Sequence, residues 1–487
     1  MKQHSILRFG AAGICVLAMT GQLWAQAARR PLPPSVGVRV ERDHAAMARF
    51  RPAFPFWQHI FVVPDGAIAF GSAVDGRLLA TFPVRGDWAR DGVWRDNSFA
   101  TFTIDHRLPD DLWQRRETVA ELLEPAVGPV LHNPTRGLSV LPNLPRYGAF
   151  LGEWGAIYER FGVPAEIGLA QALVESGFNG TIRSEARAVG FCQWLDRNWN
   201  RLKQLAPHVV EGHNQTTQAP YCAAYLSILA TKYHSFIPAL SEHHTGGANV
   251  GRTLINGERL GGADVRERYF IGAEFARDLR AAAPGAFSDL YGTYGPRSFL
   301  YAEMVFGNAA AVAQLTATTP QSKIYAMRTP RALAVTDIVR STGLTAAEVR
   351  RFNPALVSRV PARGTLYLPR HVAAFGRDVA FWHRPPVAAY SSLLTEFTSL
   401  DASIERWDSP SFDAVLSRFR TRFEATATEE GAVMATTLAY VLEERRSNRQ
   451  AQILAEFRSS GRIAQLFEQA RLQREPAVPP RRGGTDH

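Results

Sequence analysis

Residues 162–179 read GVPAEIGLAQALVESGFN, and the fold of the middle of the chain turns on them. Pro164 presets the first helical turn, and Glu166 stands where the positive end of the helix dipole favours an acid. Ile167, Ala170, Leu173 and Val174 recur at helical spacing, so one face is predicted to be buried. Ser176-Gly177 ends the helix, with glycine as a natural C-terminal cap. Glu175 therefore falls in the last turn of a mostly apolar helix. The negative helix end and the apolar neighbours Val174, Phe178 and Trp194 all disfavour a charged carboxylate there, so a raised pKa is expected. A general acid needs that shift to hold its proton near neutrality. The same residues also fit a solvated glutamate at a helix end.

The residues that follow add a spaced pattern. Ser184 stands nine positions past Glu175, Gly190 fifteen and Gln193 eighteen, within SEARAVGFCQW. Here the chain resembles the lysozyme-like lytic transglycosylases of the soluble murein transglycosylase type. Their pattern is Glu-Ser, then serine at the ninth position, then Gly-x-x-Gln. Farther on, AAYLSILATKYHSF is similar to the family's intervening helix, and His243-His244-Thr245-Gly246-Gly247 stands where Ala-Tyr-Asn-Ala-Gly is usual. A late tyrosine of the family maps to Tyr269 in RERYFIGAEFA. Arg187 replaces a usual glycine, His244-Thr245 replaces Tyr-Asn, and the common Asp-Glu-Arg segment before the helix is absent.

The resemblance covers about residues 148–280 and implies a lysozyme-like α+β catalytic domain. It implies cleavage of the β-1,4 bond between N-acetylmuramic acid and N-acetylglucosamine, with formation of a 1,6-anhydro ring. Glu175 is the implied acid and then base. Ser184, Gln193, His244, Thr245, Gly247 and Tyr269 are implied substrate contacts, with Tyr269 holding Glu175 by its hydroxyl. Peptidoglycan glycan strands are the implied partner, and no cofactor is called for. A hydrolytic muramidase is the enzymatic alternative, with Glu185 or Asp196 as its second carboxylate. A non-catalytic wall-binding scaffold is the other.

Around this segment the chain divides by composition. Residues 1–27 read as a secretory signal, with Lys2 and Arg8 ahead of an apolar stretch and Ala25-Gln26-Ala27 as a small-x-small cleavage site after Ala27. An uncleaved anchor is the other reading, and no later apolar run reaches the roughly 18 residues of a membrane span. The expected location is thus periplasmic or secreted, without membrane insertion once the leader is removed. Residues 28–36 are Pro/Arg-rich and read as a linker. Residues 37–110 read as a β-rich domain, with Asp-Gly turns between HIFVV, AIAFGSAV and RLLATFPV. Residues 111–147 read as a helix and an irregular connector, and 281–322 as a connector with a helix.

Residues 323–370 have a strand-helix-helix-strand order similar to a LysM module. Such a unit grips N-acetylglucosamine chains, or survives as a shape that has lost its ligand. Transglycosylases of the membrane-bound murein transglycosylase D type carry such modules after the catalytic part. Residues 388–472 read as amphipathic helices and 473–487 as a disordered tail. The predicted class is mainly α.

The 487 residues carry a net charge of +10 and only three cysteines, which rules out a disulfide-dense mini-protein. Arginines are scattered and no zinc-finger or RNP signature accompanies them, so nucleic acid is not an expected partner. Cys192 and Cys222 would survive signal cleavage, as one disulfide or as two buried thiols. His208, His213, His234, His243 and His244 show no metal-ligand spacing, and no metal is expected. His243 and His244 are read instead as lining a sugar groove.

Overall fold

Helix accounts for 64% of the structure and strand for 9%, so the class is mainly α with small antiparallel sheets. This computed structural model describes residues 31–96, 106–206, 210–292, 296–400 and 407–474. The expected leader, His208 and most of the predicted tail lie outside those residues. Among the described residues, no helix is long and apolar enough to cross a membrane.

The expected linker is corrected at its C-terminal end. Pro33-Pro34 opens a 17-residue helix, Pro34–Phe50, because a proline at the first helical position has its φ already set. Asp43 of this helix is fully buried, pairs with Arg266 at 2.6 Å, and accepts hydrogen bonds from Ser235 Oγ and Phe236 N, each at 2.7 Å. Residues 37–50, expected in the β-rich domain, are thus helical and bolted to the central helices, and HIFVV, expected as a strand, lies largely in the helix Trp57–Val62.

The N-terminal sheet has strands β1 (Ala67–Ser72), β2 (Leu78–Pro83), β3 (Val93–Trp94) and β4 (Val130–Pro134), in the order β3-β2-β1-β4. Every pairing is antiparallel, with Phe70 opposite Ala80 on one side and His132 on the other. The 110 boundary is corrected by β4 and by the Leu112–Val127 helix. That helix lays Val119, Leu123 and Val127 against Ile68, Phe70 and Phe82 of the sheet. β4 is a short edge strand of mixed polarity, so it carries no alternating pattern to read.

The central helices Leu151–Arg160, Ala165–Ser176, Gln215–Tyr233, Phe236–Thr245 and Tyr301–Thr318 contribute to one core. The helix expected within the 281–322 connector is present, but it is part of the core rather than a connection. This Tyr301–Thr318 helix buries Tyr301, Val305, Phe306 and Val312 in that core and packs along Ala165–Ser176. In the next segment, strand Tyr325–Arg328, helices Val335–Thr342 and Ala346–Phe352, and strand Thr365–Leu368 follow in order, with the two strands antiparallel. Arg377–Asp378 adds a third strand on the other side of Tyr325–Arg328, so this sheet runs past residue 370. The C-terminal helices include Glu429–Ser447, which lies along Gln215–Tyr233.

Candidate active site

Gly177 closes the Ala165–Ser176 helix in the left-handed region, with φ +56°, and its N–H donates to Leu173 O at 2.9 Å. A Cβ at this position would stand 1.8 Å from Ser139 O, so only glycine lets the two segments meet. Ser176 Oγ donates to Ala172 O and to Phe191 O, each at 3.0 Å. The serine after Glu175 therefore ties its helix to the loop that carries the rest of the spaced pattern.

That loop is a small hairpin of Ala188–Val189 against Trp194–Leu195. Ser184 Oγ accepts from Ala188 N at 3.0 Å and closes one turn. Gly190 is left-handed, and a Cβ there would meet Gln218 at 2.2 Å. Gln193 is also left-handed, and its Nε2 donates back to Gly190 O at 3.0 Å. The Gly-x-x-Gln spacing is thus that of a self-closing turn. Arg187, where the resembled family has glycine, has φ +62°, a conformation glycine adopts without strain. Cys192 and Cys222 are joined as a disulfide, which fastens the hairpin to the Gln215–Tyr233 helix.

Glu175, Ser184, Gln193, His244 and Thr245 line one groove of about 810 Å³. Tyr301 OH donates to Glu175 Oε1, and His243 Nε2 lies 3.4 Å from the same oxygen. Trp194 Nε1 donates to His243 Nδ1 at 3.4 Å, and His244 lies flat on the Tyr301 ring, with centroids 4.6 Å apart. Trp194 stacks on Tyr440 at 5.4 Å and meets Tyr225 edge-on at 4.8 Å, which gives the groove an aromatic wall.

Two expected contacts are corrected. Tyr269 does not line the groove: its side chain is fully buried beside Phe270, and the hydroxyl on Glu175 belongs to Tyr301. Gly247 does not line it either. It opens the Gly247–Arg259 helix in close packing against Gln450 and Glu242, and Gly246 faces the groove instead. Among the carboxylates considered as a second group, Glu185 is exposed and Asp196 pairs with Arg183 at 2.7 Å.

The expected rise in the Glu175 pKa is also corrected. Burial is the largest influence and pushes it up. The hydrogen bond and charge of His243, the charge of His244 and the Tyr301 hydrogen bond together outweigh burial, so the carboxyl is held below the usual range. The carboxyl raised toward neutrality is Glu444, from the Glu429–Ser447 helix, in the same groove. Burial and the charge of Glu242 push it up to about 7, against the pull of Lys232, a hydrogen bond from Tyr225, and His243. Arg201 of the opposite bank grips Glu443 through two contacts of 2.6 Å and holds this helix across the groove.

Sequence reading missed both Tyr301 and Glu444. Tyr440 and Glu444 stand four apart and so share a helix face, but nothing local says that the face looks onto a distant groove. Tyr301 follows no motif. Among the described residues, no group of three or more histidine, cysteine, aspartate or glutamate side chains could hold a metal ion. No protein-family model matches the chain, and no curated protein matches it.

Proposed function

We propose that the chain is a peptidoglycan lytic transglycosylase with a lysozyme-like catalytic centre, in which Glu175 acts first as acid and then as base. The observation that carries this reading is the setting of Glu175: its carboxyl opens into an aromatic-walled groove and is held by Tyr301 beside His243. The aromatic wall suits the apolar faces of sugar rings. In its protonated form Glu175 passes its proton to the glycosidic oxygen as the bond to the muramoyl C1 breaks. The resulting carboxylate then takes the proton of the muramoyl 6-hydroxyl, whose oxygen bonds to C1. Atoms balance without water, and the carboxyl recovers its proton. Ser184 and Gln193 shape the hairpin bank of the groove. The 1–27 leader and the Cys192–Cys222 bond both suit an oxidising compartment outside the cytoplasm.

A second reading is hydrolysis, and the Glu444 carboxyl favours it. Two carboxyls in one groove with pKa values driven apart are the arrangement of an acid and a base. Glu444 would then protonate the leaving oxygen while ionised Glu175 activates water. Mass spectrometry of digested cell wall distinguishes the two, because anhydro ends are lighter by one water than reducing ends. The expected result is anhydro ends from the wild type, none from Glu175→Gln, and retained anhydro ends from Glu444→Gln. Reducing ends from the wild type, lost in both variants, would establish the hydrolase. Equal, null release by wild type and Glu175→Gln would leave a wall-binding scaffold.

A further inference from the structure

A second cavity, about 1020 Å³, lies between the Gln215–Tyr233 helix, the sheet containing Tyr325–Arg328, and the helices Pro410–Ala425 and Glu429–Ser447. It shares no lining residue with the Glu175 groove. Tyr221, Tyr367 and Trp382 are buried in its wall and give it an aromatic floor. Arg328 and Arg377 also line it. They are direct partners on adjacent antiparallel strands, so both side chains leave the sheet on the same face.

Like charges placed directly opposite each other on neighbouring strands repel. Among the described residues neither guanidinium has an ion-pair partner. Arg328 donates only to the carbonyl of Arg363, at 3.4 Å, and its Nε is buried without an acceptor. The acids at the cavity are turned to other arginines, Glu424 to Arg420 at 3.7 Å and Glu429 to Arg384 at 3.5 Å. Two planar donor forks on one face, above an aromatic floor, match the recognition of an oxyanion attached to an apolar body.

We propose that this cavity binds an anionic ligand, a carboxylate or phosphate joined to an apolar or ring-shaped group, and that Arg328 and Arg377 clamp its charge. The ligand's anion supplies the counter-charge, and the buried rings take its apolar part. The site stands independently of the activity assigned to Glu175.

The test is calorimetric titration of the full chain with phenyl phosphate, and separately with an N-acetylated dipeptide bearing a free C-terminal carboxylate. Saturable binding of at least one probe is expected, and which probe binds identifies the anion. Arg328→Gln and Arg377→Gln should each weaken that binding at least tenfold, while Arg340→Gln, on an exposed helix face, leaves it unchanged. Without ligand, Arg377→Gln should melt no lower than the wild type, because it relieves repulsion. Failure of both probes to saturate would overturn the proposal. So would undiminished binding in the arginine variants, or a lowered melting temperature that makes the pair a support of the fold.

Discussion

At Glu175, burial favours the neutral acid, and the hydrogen bond and charge of His243, with His244 and Tyr301, reverse it. At Glu444, burial wins with help from the charge of Glu242, and the carboxyl reaches about 7. The two groups therefore bear on stability with opposite signs. A lowered folded-state pKa gives Glu175 a stabilising contribution that is present above its unfolded value, near 4.5, and lost as pH falls through the folded one. The raised value gives Glu444 a contribution that is complete below 4.5 and lost as pH rises through about 7. Replacing Glu444 with glutamine removes that loss. Between pH 4.5 and pH 8, stability should therefore shift in favour of Glu444→Gln by at most about 3 kcal/mol, since the half-buried carboxyl retains some water. Urea denaturation of both proteins at the two pH values checks this, and a shift in the opposite direction would contradict it. At this scale Glu175, Ser184 and Gln193 were legible because their spacing is fixed by one helix cap and one hairpin. Tyr301 was not, because its hydrogen bond to Glu175 spans 126 positions.

The Ala165–Ser176 helix was legible nearly to its ends, since an apolar face, an early proline and a terminal glycine all point the same way. Its termination also sets where Glu175 points. Alanine at 177 must adopt φ near +56° and place a methyl group 1.8 Å from the Ser139 carbonyl oxygen. Both faults fall on one residue, so a loss of about 2–4 kcal/mol is expected for Gly177→Ala by chemical denaturation. A loss under about 1 kcal/mol, no more than left-handed strain at one alanine, would mean that the 137–139 segment moves aside freely. Elements without such agreement went unread. β4 has too few residues to show a period, and Pro33-Pro34 serves a tether or a helix start equally well until Asp43 finds Arg266.

Read along the chain, composition divides the protein into segments, while burial joins them again. The Leu151–Arg160 helix shows how. Near its start, buried Glu153 accepts from Trp382 Nε1 and Lys323 Nζ, each at 3.2 Å, and contacts His383. At its end Arg160 forms a buried ion pair with Glu430. One ten-residue helix thus secures both the flank of the 323–370 segment and the C-terminal helices. Such long-range pairing leaves no period or composition shift in the sequence. Arg160→Met leaves the Glu430 carboxylate buried and unpaired, which should cost about 3–5 kcal/mol. Arg160→Met with Glu430→Met removes both charges and should recover most of that loss. Melting temperatures of the two variants test the pair, and equal losses would show that the arginine acts by packing alone.

The 440–448 stretch, which supplies the far bank of the groove, also orders events in time. A ribosome releases Glu175 long before it reaches Tyr440. Until residues 440–448 are made, the carboxyl of Glu175 has no far bank opposite it, and their arrival closes the groove.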